Sequence, residues 1–145
     1  MGLVISSLLS VAFVATGVMP VSGSTSDAAL IDTAQRYVGT PYCRGGVTSD
    51  CFDCSGFTSF VYDKNGVNLS RTAQQQYRLA EKITRSEAVP GDLVFFRNKS
   101  GYVYHVGIYL GNNKIIHSPR YGRDVRVETI WSTRVVFGRV APVSS

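Results

Sequence analysis

Cys54 and the two histidines of this 145-residue chain have side chains suited to covalent catalysis. Cys54 follows Asp53 where a loop rich in glycine, serine and cysteine gives way to an apolar helical pattern, so we expect it in a helix's first turn. A thiol is a good nucleophile only as thiolate, and a helix amino terminus and a nearby imidazolium both favour that form. The pattern therefore predicts that Cys54 is a nucleophile activated by His105.

The histidines lie on two segments that are predicted to pair as strands. His105 falls within 102–110, His117 ends 114–117, and the tight-turn sequence at 111–113 joins them. In a suitable register His117 would hold the second ring nitrogen of His105 and fix its tautomer. We then expect Cys54 to attack a carbonyl, His105 to protonate the leaving amine, and water to release the acyl-enzyme. Backbone amides at the helix start are the expected oxyanion donors.

The elements that must position these residues follow from hydrophobic spacing. Helices are predicted over 28–38, from Cys54 to about 65, and over 72–81. The expected core face of the first helix is Ala29, Leu30, Ala34 and Val38. Strands are predicted at 92–96, 102–110, 114–117, 124–128 and 134–139. Helices followed by strands indicate an α+β fold, with amino-terminal helices packed on a mostly antiparallel sheet of five to six strands.

Length and charge limit the class of protein. The chain has room for one domain, and its net charge of +5 favours an anionic partner. Lysine and arginine are scattered rather than clustered with aromatic residues, so we expect no nucleic-acid partner. An anionic cell-wall polymer fits the charge. We expect a monomer without a cofactor or a metal.

The amino-terminal segment indicates export. Residues 1–26 contain no charged side chain and 3–19 are mostly apolar, which is typical of a secretory signal ending near residue 23. An uncleaved membrane anchor is the alternative, because the stretch is close to the minimum spanning length. Either segment places the domain at 24–145 outside the cytoplasm, secreted to the cell wall or periplasm. Only an uncleaved segment would bring it into contact with the membrane.

Five short motifs occur in order along the chain. They are 37–42 (Tyr-Val-Gly-Thr-Pro-Tyr), 45–46 (Gly-Gly), 53–57 (Asp-Cys-Ser-Gly-Phe), 90–96 (Pro-Gly-Asp-Leu-Val-Phe-Phe) and 105–111 (His-Val-Gly-Ile-Tyr-Leu-Gly). Together they resemble the NlpC-type cell-wall cysteine peptidases, a bacterial branch of the papain-like fold, over about 28–140. The resemblance implies a Cys–His dyad completed by a third polar residue, and these roles fall on Cys54, His105 and His117.

The resemblance also implies a substrate and further site residues. Members cleave amide bonds in peptidoglycan stem peptides, typically between D-γ-glutamyl and a diamino acid that is often meso-diaminopimelate. Tyr42 matches a tyrosine near the oxyanion site. Asp53 and Ser55 flank the nucleophile and either line the substrate groove or cap the helix. Arg71 either pairs with a substrate carboxylate or is a solvated arginine opening a helix.

The remaining cysteines and the histidines leave further functions open. In an oxidising compartment Cys43 and Cys51 are expected to form a disulfide that leaves Cys54 free. Pairing of Cys51 with Cys54 would instead be a redox arrangement, which would make the protein a thiol-disulfide oxidoreductase. The spacing of the cysteines and histidines fits no common zinc pattern. An amidase or acyltransferase using the same dyad, or a catalytically silent wall-binding module, would also be compatible with these residues.

Overall fold

The computed structural model describes residues 24–140 and the isolated Gly2, so the predicted signal segment otherwise lies outside the described residues. Its helices are α1 (Ser24–Arg36), α2 (Cys54–Lys64) and α3 (Ala73–Leu79). Its strands are β1 (Val47–Thr48), β2 (Cys51–Phe52), β3 (Glu81–Ile83), β4 (Leu93–Arg97), β5 (Val103–Gly111), β6 (Lys114–His117), β7 (Arg126–Thr129) and β8 (Val135–Arg139). Within the described part of the chain, no helix is both long and apolar enough to cross a membrane.

Six of the strands form one sheet in the order β3-β8-β4-β5-β6-β7, and β1 pairs with β2 in a separate hairpin. Every pairing between these strands is antiparallel. The helices precede the main sheet along the chain and pack on it. This architecture confirms the predicted α+β fold.

The central strand β4 is buried on both faces, which explains its uninterrupted apolar sequence. Leu93 and Phe95 belong to the core between the sheet and the helices, together with Phe57 of α2. Val94 and Phe96 point into a second cluster on the opposite face. Successive side chains of a strand point to opposite faces of the sheet, so the apolar residues of β4 contribute alternately to the two clusters.

The hairpin between β5 and β6 fixes the register of the two predicted histidine strands. Asn112 and Asn113 occupy the tip with φ of 52° and 60°, the left-handed conformation required by a type I′ turn. Asparagine tolerates this conformation better than most residues. The register then pairs Ile108 with Ile116.

Two details of the prediction were wrong. The first helix ends at Arg36, so Val38 lies beyond it and is 51% exposed, and Ala29 is exposed as well. Only Leu30 and Ala34 of the predicted face enter the core. The third helix is shorter than predicted, because Thr72 is its cap and Glu81 begins β3.

Candidate active site

Cys54 is the first residue of α2, and Asp53 caps that helix. The Asp53 carboxylate accepts a hydrogen bond of 2.6 Å from the amide of Gly56, which satisfies one of the unpaired donors of the first turn. The amides of Cys54 and Ser55 donate toward the Cys54 sulfur. The helix start therefore presents two backbone N–H groups beside a half-buried thiol.

A glycine-lined loop packs directly against this helix start. A Cβ atom at Gly56 would lie 1.9 Å from the carbonyl oxygen of Gly46, and one at Gly46 would lie 2.3 Å from the sulfur of Cys43. Cys43 and Cys51 form a disulfide that closes the loop, and Cys54 is the free cysteine. Both glycines thus permit a close approach that any side chain would block. A Cys51–Cys54 redox pair is not formed.

Three side chains run diagonally across β5, β6 and β7. His105 Nε2 lies 2.7 Å from His117 Nδ1, and His117 Nε2 lies 2.6 Å from Glu128 Oε2. Gly107, on β5, leaves space for the His117 side chain, because a Cβ atom at position 107 would lie 3.2 Å from the Cβ of His117. His117 is fully buried and His105 nearly so. The hydrogen-bonded pair that the sequence predicted is therefore extended by a carboxylate.

The free thiol and His105 line one cavity of about 660 Å³. The backbone N–H of Val106, next to His105 on β5, hydrogen-bonds the Cys54 sulfur. Trp131 stacks on Phe96 at a ring-centroid distance of 4.2 Å, and its centroid lies 5.7 Å from that of His105 and 5.4 Å from that of His117. The other residues lining the cavity are Tyr42, Tyr104, His117, Pro119, Arg120, Arg123, Glu128 and Thr129.

Burial favours the neutral forms of both reacting groups. It raises the pKa of the Cys54 thiol, an effect that the Val106 N–H opposes and the Asp53 charge reinforces. Burial, with a smaller contribution from His117, lowers the pKa of His105 to about 3. The structure therefore differs from the thiolate expected from the helix terminus, because desolvation and the Asp53 charge outweigh the backbone N–H groups.

Tyr42 lines the same cavity as Cys54. Burial raises the pKa of its hydroxyl, and the Cys54 and Asp53 charges add to the shift. The phenol consequently stays a proton donor at neutral pH. Its backbone amide donates to the carbonyl of Arg123 at 3.0 Å, which anchors Tyr42 between two loops.

The other three predicted substrate residues form a hydrogen-bonded group behind the nucleophile and do not line the cavity. Arg71 reaches Asp53 Oδ2 at 2.6 Å and Ser55 Oγ at 3.1 Å. Ser55 itself is buried. Of the two roles considered for Asp53, the structure shows the helix cap, and the Arg71 guanidinium pairs with this cap rather than standing free in solvent.

Among the cavity residues that sequence reasoning missed are Arg120, Arg123, Glu128 and Trp131. They lie on β7 and on the connections flanking it, and only strand pairing brings them beside the catalytic candidates. The pairing of His117 with Arg126 and of Ile115 with Glu128 puts Glu128 one diagonal step from His117. Pairing the predicted strands 114–117 and 124–128 in this register would have placed Glu128 beside His117 from the sequence alone.

In the described range, no group of three or more His, Cys, Asp or Glu side chains is arranged to hold a metal ion. Two of the possible zinc ligands, Cys43 and Cys51, are consumed by the disulfide.

A cysteine at a helix start that shares a cavity with a histidine on an antiparallel sheet is typical of the papain-like class of cysteine hydrolase sites. The model of the NlpC/P60 family matches residues 39–139. The chain belongs to the NlpC/P60 family, which confirms the resemblance drawn from the five motifs.

Similar proteins agree with this membership. The chain is 46% identical over 116 residues to the "Probable endopeptidase p60" of Listeria welshimeri, covering 77% of this chain and 22% of that protein. It is 34% identical over 120 residues to the "Gamma-D-glutamyl-L-lysine dipeptidyl-peptidase" of Bacillus subtilis, covering 79% and 40% respectively. The chain thus spans less than half the length of each of these curated relatives.

Among solved structures, the NlpC/p60 domain of the peptidoglycan hydrolase SagA matches with a TM-score of 0.71 and 37% identity. The match covers 79% of this chain and 98% of that domain. These relatives are named as an endopeptidase, a dipeptidyl-peptidase and a peptidoglycan hydrolase, which agrees with the prediction of a hydrolase.

Proposed function

We propose that this domain hydrolyses amide bonds in the stem peptides of peptidoglycan, with Cys54 as nucleophile and His105 as acid–base residue. The observation that carries the proposal is the shared cavity. The free thiol of Cys54 and the ring of His105 both line it, and His105 is held through its Nε2 by His117. A nucleophile, a base and a residue that orients the base are the minimum set for acyl transfer.

The neutral resting state supports proton transfer during the attack rather than before it. As the Cys54 sulfur forms its bond to the carbonyl carbon, the thiol proton passes to His105. The resulting oxyanion accepts hydrogen bonds from the backbone amides of Cys54 and Ser55 and from the Tyr42 hydroxyl. Collapse breaks the carbon–nitrogen bond, and His105 returns the proton to the leaving amine.

Deacylation uses the same histidine. His105 takes a proton from water, the resulting hydroxide attacks the thioester carbonyl, and the thiol of Cys54 leaves with that proton. The products are a free carboxylic acid and a free amine, so one water is consumed for each bond cut. The open cavity mouth lets water reach the thioester.

For the bond that is cut, we propose the amide between D-γ-glutamyl and a diamino acid. A γ-linked glutamyl residue keeps its α-carboxylate free, so the scissile bond lies close to an anionic group. Arg120 and Arg123 line the cavity and are cationic at every physiological pH. The relative from Bacillus subtilis is named for a γ-D-glutamyl bond, which supports the same choice.

Export and recruitment to the wall belong to the same proposal. The Cys43–Cys51 disulfide fits an oxidising compartment outside the cytoplasm. The net charge of +5 favours association with anionic wall polymers. We propose that residues 1–23 act as a signal peptide, and amino-terminal sequencing of the exported protein would show whether the chain starts near residue 24.

Mass spectrometry of defined muropeptides incubated with the protein tests the reaction and the bond together. Hydrolysis at the proposed bond yields one fragment ending in D-glutamate and one beginning with the diamino acid. Products in which the glutamyl carbonyl is joined to a second stem peptide's amine would instead show an acyltransferase. Intact muropeptides with fully folded protein would contradict the proposal.

A further inference from the structure

Glu128 is the acidic side chain of the cavity lining in the described part of the chain. It lies on β7, the edge strand beside β6, and its side chain is 40% exposed. Its Oε2 atom is 2.6 Å from Nε2 of His117, a ring with no solvent exposure. A solvent-accessible carboxylate thus contacts the far end of a buried histidine pair.

With an ionised carboxylate and two neutral rings, the hydrogen bonds that link Glu128, His117 and His105 allow one proton arrangement. An ionised carboxylate offers only acceptors, so Nε2 of His117 must carry the hydrogen that it donates to Glu128. A neutral His117 then has an unprotonated Nδ1, which can only accept. His105 must therefore donate through Nε2, and its Nδ1 is the ring nitrogen left with a free lone pair.

We propose that Glu128 is a positioning residue that sets the tautomers of His117 and His105, so that His105 receives the thiol proton of Cys54 at Nδ1. The proposal rests on the proposed function of Cys54 and His105 and extends it by one residue. During the attack the proton moves from sulfur to Nδ1 of His105, while its Nε2–H remains bonded to His117. The carboxylate then stabilises the positive charge on the ring pair.

The surroundings of the pair support this role. Burial lowers the pKa of His117, the hydrogen bond that His117 donates to Glu128 opposes that shift, and Arg126 on the facing strand adds to it. The Arg126 guanidinium pairs with Asp124 at 2.6 Å, which partly neutralises it. Glu128 is accordingly the group that favours charge on a pair otherwise kept neutral by desolvation.

If the role of Glu128 were purely structural, any side chain that accepts a hydrogen bond from the His117 N–H could replace it. Glu128→Gln separates the two possibilities, because an amide donates as well as accepts. When its NH₂ group donates to Nε2 of His117, the chain of hydrogen bonds reverses and a hydrogen sits on Nδ1 of His105. That tautomer has no lone pair for the thiol proton.

The first test measures the rate of alkylation of Cys54 by iodoacetamide as a function of pH. Cys54 is the one cysteine outside the disulfide, so the signal is specific. We expect Glu128→Gln to slow alkylation at neutral pH by about 10- to 100-fold, the size of effect seen when the hydrogen-bond partner that orients a metal-ligating histidine is removed. Glu128→Asp should recover part of the rate. Glu81→Gln is the matched control, because Glu81 is exposed on β3 at the opposite edge of the sheet.

The second test needs no variant. The chain has two histidines, so long-range ¹H–¹⁵N correlation spectra of the unmodified protein report both ring tautomers directly. We expect both rings as the Nε2–H tautomer at neutral pH. A hydrogen on Nδ1 of His105, or a Glu128→Gln rate equal to that of the unmodified protein, would overturn the proposal.

These readouts use the thiol and the rings without substrate. A protein that fails to cut stem peptides but shows the expected tautomers and the expected dependence on Glu128 would refute the proposed function alone. A protein that cuts stem peptides at an unchanged kcat in Glu128→Gln would refute the role of Glu128 alone.

Discussion

Nε2 of His105 and Nδ1 of His117 are 2.7 Å apart in the interior of the protein, on adjacent strands of one hairpin. Two imidazoles at this distance cannot both be protonated without strong repulsion, and burial adds a desolvation cost. The folded protein therefore holds the pair in its neutral form, which connects the candidate active site to the pH dependence of stability.

The free energy of unfolding should rise with pH between about 3 and 6.5. Burial lowers the pKa of His105 from 6.5 to about 3, so in this window the unfolded chain binds a proton that the folded protein does not. Because the unfolded state binds more protons in this window, the free energy of unfolding increases with pH. The stabilisation from the neutral His105 is lost as the pH falls from about 6.5 to about 3. Urea unfolding at a series of pH values measures the slope.

A His105→Asn, His117→Asn variant is the control for this slope. Carboxylates such as Asp92, which is paired with Arg139, affect both proteins alike. The difference between the two curves therefore isolates the histidines. A variant with the same slope as the unmodified protein would show that the pair is not held neutral.

Tyr42→Phe should lower kcat while leaving Cys54 reactive. The phenol is expected to donate to the oxyanion, and removing one such donor usually costs about 10²- to 10³-fold in kcat. Steady-state hydrolysis of a stem peptide and alkylation of Cys54 measure the two properties separately. Tyr121→Phe is the control, because Tyr121 packs edge-on against Tyr42 but is 68% exposed. Equal kcat values for Tyr42→Phe and the unmodified protein would exclude the oxyanion role.

Gly56→Ala should destabilise the protein and reduce catalysis together. Alanine normally favours a helix over glycine, but here the added Cβ would lie 1.9 Å from the carbonyl oxygen of Gly46. We expect a loss of about 1–3 kcal/mol, typical of overpacking, and a displaced Cys54. Thermal unfolding and peptide hydrolysis measure the two effects.

Gly66→Ala separates steric from conformational effects. Gly66 has a φ of +81° and no atom within 4 Å of an added Cβ. Its replacement should cost about 1–2 kcal/mol from the left-handed conformation alone and leave activity intact. If Gly56→Ala behaved in the same way, the close contact between the loop and the helix would have no functional role.

Much of the fold could be predicted because its signals are local. The apolar run of β4, the turn at Asn112 and Asn113 and the cap at Asp53 are each encoded within a few residues. Local signals also placed Cys54 at a helix start and the two histidines on one hairpin. The family resemblance added Tyr42, which the structure brings to the same cavity.

The rest depended on relationships that no local pattern contains. Glu128 reaches His117 only because β7 pairs with β6 in one particular register. Arg71 reaches Asp53 across 18 positions of sequence, a contact that no local pattern indicates. The protonation states were also missed, because burial is a property of the assembled core and outweighs the helix terminus.

The most direct test of the account is the rate at which a Cys54→Ala variant releases fragments from a defined stem peptide. Cys54 is half-buried and its sulfur accepts only backbone hydrogen bonds within the described residues, so the variant should fold, with a thermal unfolding midpoint near that of the unmodified protein. We predict that hydrolysis falls on the order of 10⁶-fold, as expected when a covalent nucleophile is removed. Fragment release by folded Cys54→Ala at the rate of the unmodified protein would contradict the account.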